Sequence, residues 1–406
     1  MTFIFLVAAQ IINIFVSFKL TKKWANYLVI SNVIIFFNLV GSLINEQNIY
    51  FSHESSIYLV AFSLIMNAGA YGYNLINGSR LRRFSKLNLE GLSKLIKFNE
   101  IYIYILIASL VVFFGFSVFF FYHYGIPLFM EDLHYSRRAV QTESYLFYRI
   151  FLDMMPITTI ILYAKYRIYD DKLAGKLFLV SFALVSFVLI LLGFKGFVLW
   201  YTVVIIMAIN IYSDNIYKII LIMAGIGIAS GLLITTYMYS VGISGAFDKF
   251  LLRLTQVSAY GYNIMFYEFY PVAQKINTMP FNLNQFLAEW KFGKNSNMAI
   301  YSTGLTVTIV GALMFYIGKV GSLLAAFVAG FAMQHVYFLI LKYKTSPLFM
   351  TYFLYLSYTF VAVVNRGTIV TAFTQPITTL SLLVLFYIII TALYSKELKY
   401  RFVKIK

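Results

Sequence analysis

Long runs of apolar residues recur along almost the whole chain and are separated by short polar stretches. A helix needs about 20 apolar residues to cross roughly 30 Å of hydrocarbon, and eleven runs come near that length. The pattern therefore predicts an all-α polytopic membrane protein of about 11 transmembrane helices, built as a single integral membrane domain over residues 1–406. The predicted spans are residues 2–18, 24–45, 57–78, 100–122, 147–164, 175–194, 196–212, 217–240, 319–341, 347–364 and 374–394.

Two longer connections interrupt this pattern, at residues 123–146 and 241–300, and we predict both as loops on the outer side. Residues 302–318 are also apolar, but counting them as a twelfth span would place the basic C-terminal tail outside, against the usual charge bias. We therefore interpret residues 302–318 as a re-entrant or interfacial segment, which is permitted where it is buried in protein or lines a cavity.

The composition supports the membrane assignment and excludes several classes of protein. Hydrophobic residues make up 61% of the chain and charged residues 12%, whereas soluble domains have about 45–50% and about 25%. The chain has no cysteine, which excludes a disulfide scaffold, thiol catalysis and cysteine-ligated metal centres. The net charge of +17 is spread in short strips between apolar runs, so we expect no nucleic-acid partner.

The basic residues also predict the orientation of the chain. With the N-terminus outside, alternating spans place 21 of the 32 lysines and arginines on the cytoplasmic side, as the positive-inside rule requires. The few cations that remain outside are then candidates for binding an anion. Lys195 lies between two glycines at a tight junction of two spans; Lys249 and Arg253 have the spacing of one helix face, and Arg137 and Arg138 are adjacent.

These cations could grip phosphate, arginine through two parallel donors and lysine as a point charge. Structural alternatives stay open for each group. Lys195 could snorkel to the membrane edge, the 249–253 helix could touch lipid headgroups, and Arg137 and Arg138 could belong to a solvated loop.

An aromatic cluster at residues 256–270 surrounds a single carboxylate, Glu268. Tyrosine rings can pack against sugar rings while their hydroxyls form hydrogen bonds, so Tyr260, Tyr262, Tyr267 and Tyr270 are candidate sugar-binding residues. Glu268 is the candidate general base, because partial burial would favour proton uptake by its carboxylate. An interfacial aromatic belt and a salt bridge from Glu268 to Arg253 are the alternatives. We predict no metal site and no cofactor.

The arrangement resembles a known family, the bacterial oligosaccharide repeat-unit polymerases of the O-antigen and capsule pathways, often called Wzy-type. The resemblance covers most of the chain. It rests on about eleven spans, on Tyr124-Gly-Ile-Pro-Leu-Phe129 before the arginine-bearing loop, on Gly193-Phe-Lys195-Gly196, on the long outer loop that opens with Arg253, and on residues 311–330 entering a late span.

The resemblance implies an enzyme of the bacterial inner membrane that transfers a growing glycan from undecaprenyl pyrophosphate to a new lipid-linked repeat unit on the periplasmic side. Arg253, Lys195, Arg137, Arg138 and Lys249 would bind the donor pyrophosphate, and Glu268 would accept the proton of the acceptor hydroxyl. Membrane lipids, a chain-length regulator and a flippase are the other partners it suggests. An O-antigen ligase or other lipid-linked glycosyltransferase, and a lipid-linked oligosaccharide flippase or transporter, are the alternatives.

Overall fold

Every element of regular secondary structure in the described part of the chain is helical. We analysed a computed structural model of the protein. It describes residues 2–85, 101–129, 145–193, 195–213, 225, 228–229, 231–236, 242–252, 255, 258–273, 283–294 and 305–367.

Thirteen α-helices are named here in chain order, and two of them are each followed by a single turn of π-helix. The first π-turn is Glu46–Tyr50 and the second π-turn is Ile264–Phe269. The α-helices are α1 Thr2–Thr21, α2 Tyr27–Asn45, α3 Glu54–Ser85, α4 Ile101–Tyr124, α5 Tyr145–Tyr169, α6 Lys172–Leu191, α7 Lys195–Tyr212, α8 Ile243–Leu252, α9 Ser258–Asn263, α10 Tyr270–Ala273, α11 Leu283–Phe292, α12 Thr308–Lys342 and α13 Pro347–Arg366.

Several of these helices are long and apolar enough to cross a membrane, which makes the chain a multi-pass membrane protein. Within the described residues there are seven, and the apolar helix Val198–Tyr212 is shorter. The seven are Thr2–Thr21, Tyr27–Tyr50, Glu54–Gly78, Leu106–Phe129, Lys172–Leu191, Thr308–Lys342 and Pro347–Asn365. Helix α5 covers the predicted span 147–164, while most of 217–240 and all of 374–394 lie outside the described residues. The total of eleven spans stays a prediction.

Among the described helices, α3 and α12 form the most extensive pair. Their backbones come close at two glycines, because a Cβ atom on Gly69 would overlap the carbonyl of Phe327 and one on Gly330 would overlap that of Met66. Small residues at helix crossings allow this close approach in membrane proteins, where van der Waals packing replaces the hydrophobic effect. The two glycines therefore allow the backbones of α3 and α12 to pack directly against each other.

Uncharged polar side chains join α1, α2 and α3 inside the bundle. The Gln10 amide donates to Ser63 Oγ at 3.0 Å, Ser17 Oγ donates to Asn67 Oδ1 at 2.9 Å, and the Asn32 amide donates to the same Asn67 oxygen at 3.1 Å. All five side chains are buried. Such bonds satisfy polar groups that would otherwise face hydrocarbon, so they fix how these three helices pack.

Helix α12 is interrupted at Gly318, whose φ of 78° and ψ of 172° are not helical. Before this break, residues 305–317 pack along α9 and the second π-turn: Gly261 lies against Thr306, and Phe269 stacks on Phe315 at 5.7 Å. After it, the helix packs along α3. The first limb, residues 308–317, is mostly buried. The re-entrant interpretation of 302–318 stays a prediction, and residues 302–304 lie outside the described part.

Candidate functional site

The two π-turns lie against each other at one end of the bundle, which we call the π-turn end. A π-turn inserts one extra residue into a helix and is frequent at functional sites. Each of the two carries one glutamate, Glu46 in the first and Glu268 in the second. Phe51 follows the first π-turn and has a left-handed φ of 52°, and α3 begins three residues later at Glu54. The two carboxylates are thereby brought together from positions 222 residues apart in sequence.

Two tyrosines connect the π-turns in a reciprocal way. Tyr50 of the first turn donates its hydroxyl to Glu268 Oε1 at 2.8 Å, and Tyr267 of the second donates to Glu46 Oε1 at 2.5 Å. Their rings stack with centroids 4.5 Å apart and planes 24° apart. We call these four residues the tyrosine–carboxylate brace. Because each carboxylate is bound by the other turn, the brace fixes both turns relative to each other.

Glu46 is the buried carboxylate of the brace, and its side chain has no exposed surface. It accepts hydrogen bonds at the start of α3, from the Ser55 N–H at 3.1 Å and from the Ser55 and Ser56 hydroxyls at 2.6 Å each. His53 Nδ1 lies 3.5 Å from its Oε2. A buried charge is tolerated only when it is paired or fully hydrogen-bonded. Glu46 is therefore an anchor for the turn and not a group that substrate can reach.

Glu268 is the accessible carboxylate, with 28% of its side chain exposed. Its Oε1 accepts from Tyr50, and its Oε2 accepts from the Lys291 ammonium in a salt bridge. Lys291 lies near the end of α11 and is 30% exposed. Trp290 and Phe286 of the same helix pack edge-on against Phe269, with centroids 5.0 and 5.8 Å from it. The aromatic contacts hold α11 beside the second π-turn, so Lys291 reaches Glu268 from a fixed helix.

A second lysine, Lys319, lies on another face of the second π-turn. It follows the Gly318 break, and its ammonium sits 4.2 Å from the Phe266 centroid and 5.7 Å from that of Tyr270. No carboxylate of the described residues is within salt-bridge distance of it. Phe266 and Tyr270 are each two positions from Glu268 in the sequence, and residues two apart in a helix do not share a face. The second π-turn therefore separates Lys319 from Glu268. Aromatic faces attract cations and account for its position.

Burial and hydrogen bonding keep the Tyr267 hydroxyl protonated. Burial is the larger cause and the hydrogen bond to Glu46 the next, and together they raise the pKa of Tyr267 above its ordinary value. The phenol therefore acts as a donor in the brace at neutral pH.

The predicted sugar-binding tyrosines have different degrees of exposure. Tyr260, Tyr267 and Tyr270 are partly buried, whereas Tyr262 is fully buried and donates its hydroxyl to the Ser55 carbonyl at 3.0 Å. In this conformation Tyr262 contacts the start of α3 and offers no surface. Sugar binding by the four tyrosines stays a prediction.

The predicted cations are described only in part. Lys249 is exposed in the last turn of α8. Lys195 begins α7, two positions after the positive-φ residue Gly193, and its side chain lies outside the described part of the structure. Arg253, Arg137 and Arg138 also lie outside it, so their pyrophosphate role and the alternative Arg253–Glu268 salt bridge stay predictions. The salt-bridge partner of Glu268 that the structure describes is Lys291.

Sequence reasoning missed the contributions of Glu46, Tyr50 and Lys291. The sequence context of Glu46 nevertheless held a signal. Glu46 closes an apolar span, and Ser55-Ser56 opens the next helix nine residues later, a pair of hydroxyls suited to binding a carboxylate at a helix N-terminus. Lys291 had no comparable signal, because its distance from Glu268 depends on how α11 folds back.

Comparison of the chain with protein-family models, with curated proteins and with solved structures gives no match.

Proposed function

We propose that this protein joins lipid-linked oligosaccharide repeat units, transferring a glycan from undecaprenyl pyrophosphate to an acceptor sugar at the π-turn end of the bundle. One observation carries the proposal: Glu268 is a partly exposed carboxylate held in a fixed position among aromatic rings, at the end of a membrane bundle. A lipid-linked sugar would meet this carboxylate at the membrane surface, which we propose is the outer surface of the bacterial inner membrane.

The proposed reaction needs a base and a stabilised leaving group. The acceptor hydroxyl loses its proton to Glu268 while its oxygen bonds to the anomeric carbon of the donor, and the bond from that carbon to the diphosphate breaks. The leaving diphosphate keeps the electron pair. Cations placed where this charge develops lower the barrier, and Lys291 joins the predicted Arg253, Lys195, Arg137, Arg138 and Lys249 in this role.

Aromatic side chains at the same end suit the sugar part of the substrate. Tyr50 and Tyr267 present a stacked pair of partly buried rings beside Glu268, and such rings pack against the C–H faces of pyranoses. A transport function has less support. The polar side chains inside α1–α3 are uncharged and hydrogen-bonded to each other, whereas ion and substrate pathways commonly carry ionisable residues.

The test compares two glutamates at the same end of the bundle. Glu268→Gln keeps the shape of the side chain but cannot accept the acceptor proton, so the purified variant should fail to extend lipid-linked repeat units. Glu54→Gln changes an exposed glutamate in the first turn of α3 and should polymerise like the wild type. Near-normal chain growth by Glu268→Gln would remove Glu268 as the base. A glycan ladder with wild-type lengths from cells lacking the gene would overturn the polymerase assignment.

A further inference from the structure

The salt bridge between Glu268 and Lys291 occupies both of the groups that the proposed reaction needs. The Lys291 ammonium is bound to Glu268 Oε2, so in this state it neither faces an anionic substrate nor leaves that oxygen free for a proton. Both side chains nevertheless reach the surface, with 28% and 30% exposure. An incoming anion can therefore contact the pair directly.

We propose that the diphosphate group of the lipid-linked donor displaces Glu268 from Lys291, and that this exchange frees Glu268 Oε2 to accept the proton of the acceptor hydroxyl. The inference rests on the proposed function and adds a coupling to it, in which the donor activates the base.

The brace allows this exchange without loss of position. When Lys291 moves away, Glu268 Oε1 keeps its hydrogen bond from Tyr50. Tyr50 is in turn stacked on Tyr267, which is bound to the buried Glu46. A carboxylate that keeps one of its two donors stays oriented, while its second oxygen becomes available. Tyr50 is thus the positioning residue that retains Glu268 during the exchange.

Lys291 has the properties of the moving partner. Its four-carbon stem is flexible and its ammonium presents three donors to any acceptor. Its helix stays in place because Trp290 and Phe286 are packed on Phe269. A diphosphate carries more negative charge and more acceptor oxygens than a carboxylate, and attraction to an ammonium grows with that charge. The diphosphate should therefore bind the Lys291 ammonium more strongly than the Glu268 carboxylate does.

The exchange sets an order of events. Before the donor binds, the ammonium covers Glu268 Oε2 and no base is available. After it binds, Lys291 lies beside the oxygen that will carry the leaving charge, and Glu268 can take the acceptor proton as the new C–O bond forms and the bond to the diphosphate breaks. Donor binding and proton transfer are thereby coupled through one lysine.

The test measures binding without turnover. Full-length protein in nanodiscs is titrated with undecaprenyl diphosphate, which has no sugar to transfer, and in a second arm with inorganic pyrophosphate. Removing the competing charge with Glu268→Gln should tighten binding of the lipid about five- to tenfold, within the usual range of coupling between sites. Lys291→Met should weaken it by at least as much, and Lys291→Arg should restore most of it. The double variant Glu268→Gln/Lys291→Met should bind the lipid as weakly as Lys291→Met alone.

Lys342→Met is the matched control. Lys342 ends α12, and its ammonium lies over the Tyr343 ring and not at the brace. This variant should bind undecaprenyl diphosphate with the same affinity as the wild type. Equal or weaker binding of the lipid by Glu268→Gln would overturn the exchange, even if the wild type polymerises. Equal affinity for inorganic pyrophosphate would overturn the lipid headgroup as the ligand. The expected binding pattern in a protein that does not polymerise would support the exchange and refute the proposed function.

Discussion

At the scale of single residues, two tyrosine hydroxyls at the π-turn end have separable roles. The Tyr50 hydroxyl contacts the accessible Glu268, whereas the Tyr262 hydroxyl contacts the backbone carbonyl of Ser55 in the interior. The same chemical change, removal of one hydroxyl, should therefore affect activity at one position and stability at the other.

Tyr50→Phe should lower the rate of glycan transfer per folded molecule by roughly tenfold, because Glu268 loses a donor that orients it for reaction. The loss of stability should be smaller than for a buried hydrogen bond, because water can replace the donor at the partly exposed Glu268 and the ring stays stacked on Tyr267. Tyr262→Phe, in contrast, should lower the free energy of unfolding by about 1 kcal/mol and leave the rate per folded molecule unaltered. Turnover assays and thermal denaturation of both variants in detergent make the comparison. Equal effects of the two variants on turnover would contradict this assignment.

How far the sequence predicts these residues depends on the range of their contacts. Glu268 and its aromatic neighbours lie within one segment and can be recognised together. Glu46 and Tyr267 are 221 residues apart, and no local pattern connects them. The burial of Tyr262 could not be predicted either. A π-turn shifts the helix register, so the spacing of aromatic residues in this segment does not show which ring faces the interior.

At the scale of elements, the apolar runs predict the helices well because length and hydropathy are set by the thickness of the membrane. The interruptions are harder to predict. Both π-turns and the break at Gly318 add or reorient single residues, a change too small to alter the hydrophobic pattern. These interruptions position Glu46, Glu268 and Lys319, so the features missed by periodicity are the ones that build the site.

The close crossing of α3 and α12 can be tested with two glycines. Gly330→Ala should destabilise the protein by about 1–3 kcal/mol, because its new Cβ would overlap the Met66 carbonyl and force the helices apart. Gly78→Ala places the same methyl group in open space on α3 and should be neutral or slightly stabilising. Thermal denaturation in detergent compares them. A Gly330→Ala protein as stable as the wild type would show that the helices can separate at no cost.

The start of α6 gives a prediction with a defined pH dependence. Asp171 caps this helix by accepting from the Ala174 N–H at 3.0 Å and pairs with Lys165 Nζ at 3.1 Å. Burial alone would raise the pKa of Asp171, but these donors outweigh it and lower that pKa. A lowered pKa in the folded state means that the stabilisation is complete above about pH 4 and is lost as the pH falls further.

Asp171→Ala should therefore cost about 0.5–2 kcal/mol at neutral pH, and the difference from the wild type should shrink below about pH 4. Asp170→Asn is the matched control, because it removes a neighbouring charge at a position that does not cap α6, and asparagine tolerates the left-handed φ of 51° found there. Unfolding measured from pH 3 to pH 7 tests both variants, and a cost for Asp171→Ala that does not change with pH would refute the electrostatic explanation.

At the scale of the whole molecule, charge and not hydropathy sets the orientation. The apolar helices indicate that the chain crosses a membrane, but they do not indicate which end of each helix faces the cytoplasm. The basic residues indicate this, because lysine and arginine are retained on the cytoplasmic side during insertion. The predicted orientation places the π-turn end outside, as the proposed function requires.

Reporter fusions test this orientation and the proposed site at once. Fusions after Asn99 and after Lys404 should report the cytoplasm, and fusions after Thr142 and after Lys275 should report the outside, because 21 of the 32 basic residues then lie inside. The Lys275 fusion is the decisive one for function, since it follows the second π-turn by only six residues. A cytoplasmic signal there would put Glu268 on the wrong face for extending exported glycans. An outside signal after Lys404 would restore residues 302–318 as a full crossing and replace eleven spans by twelve.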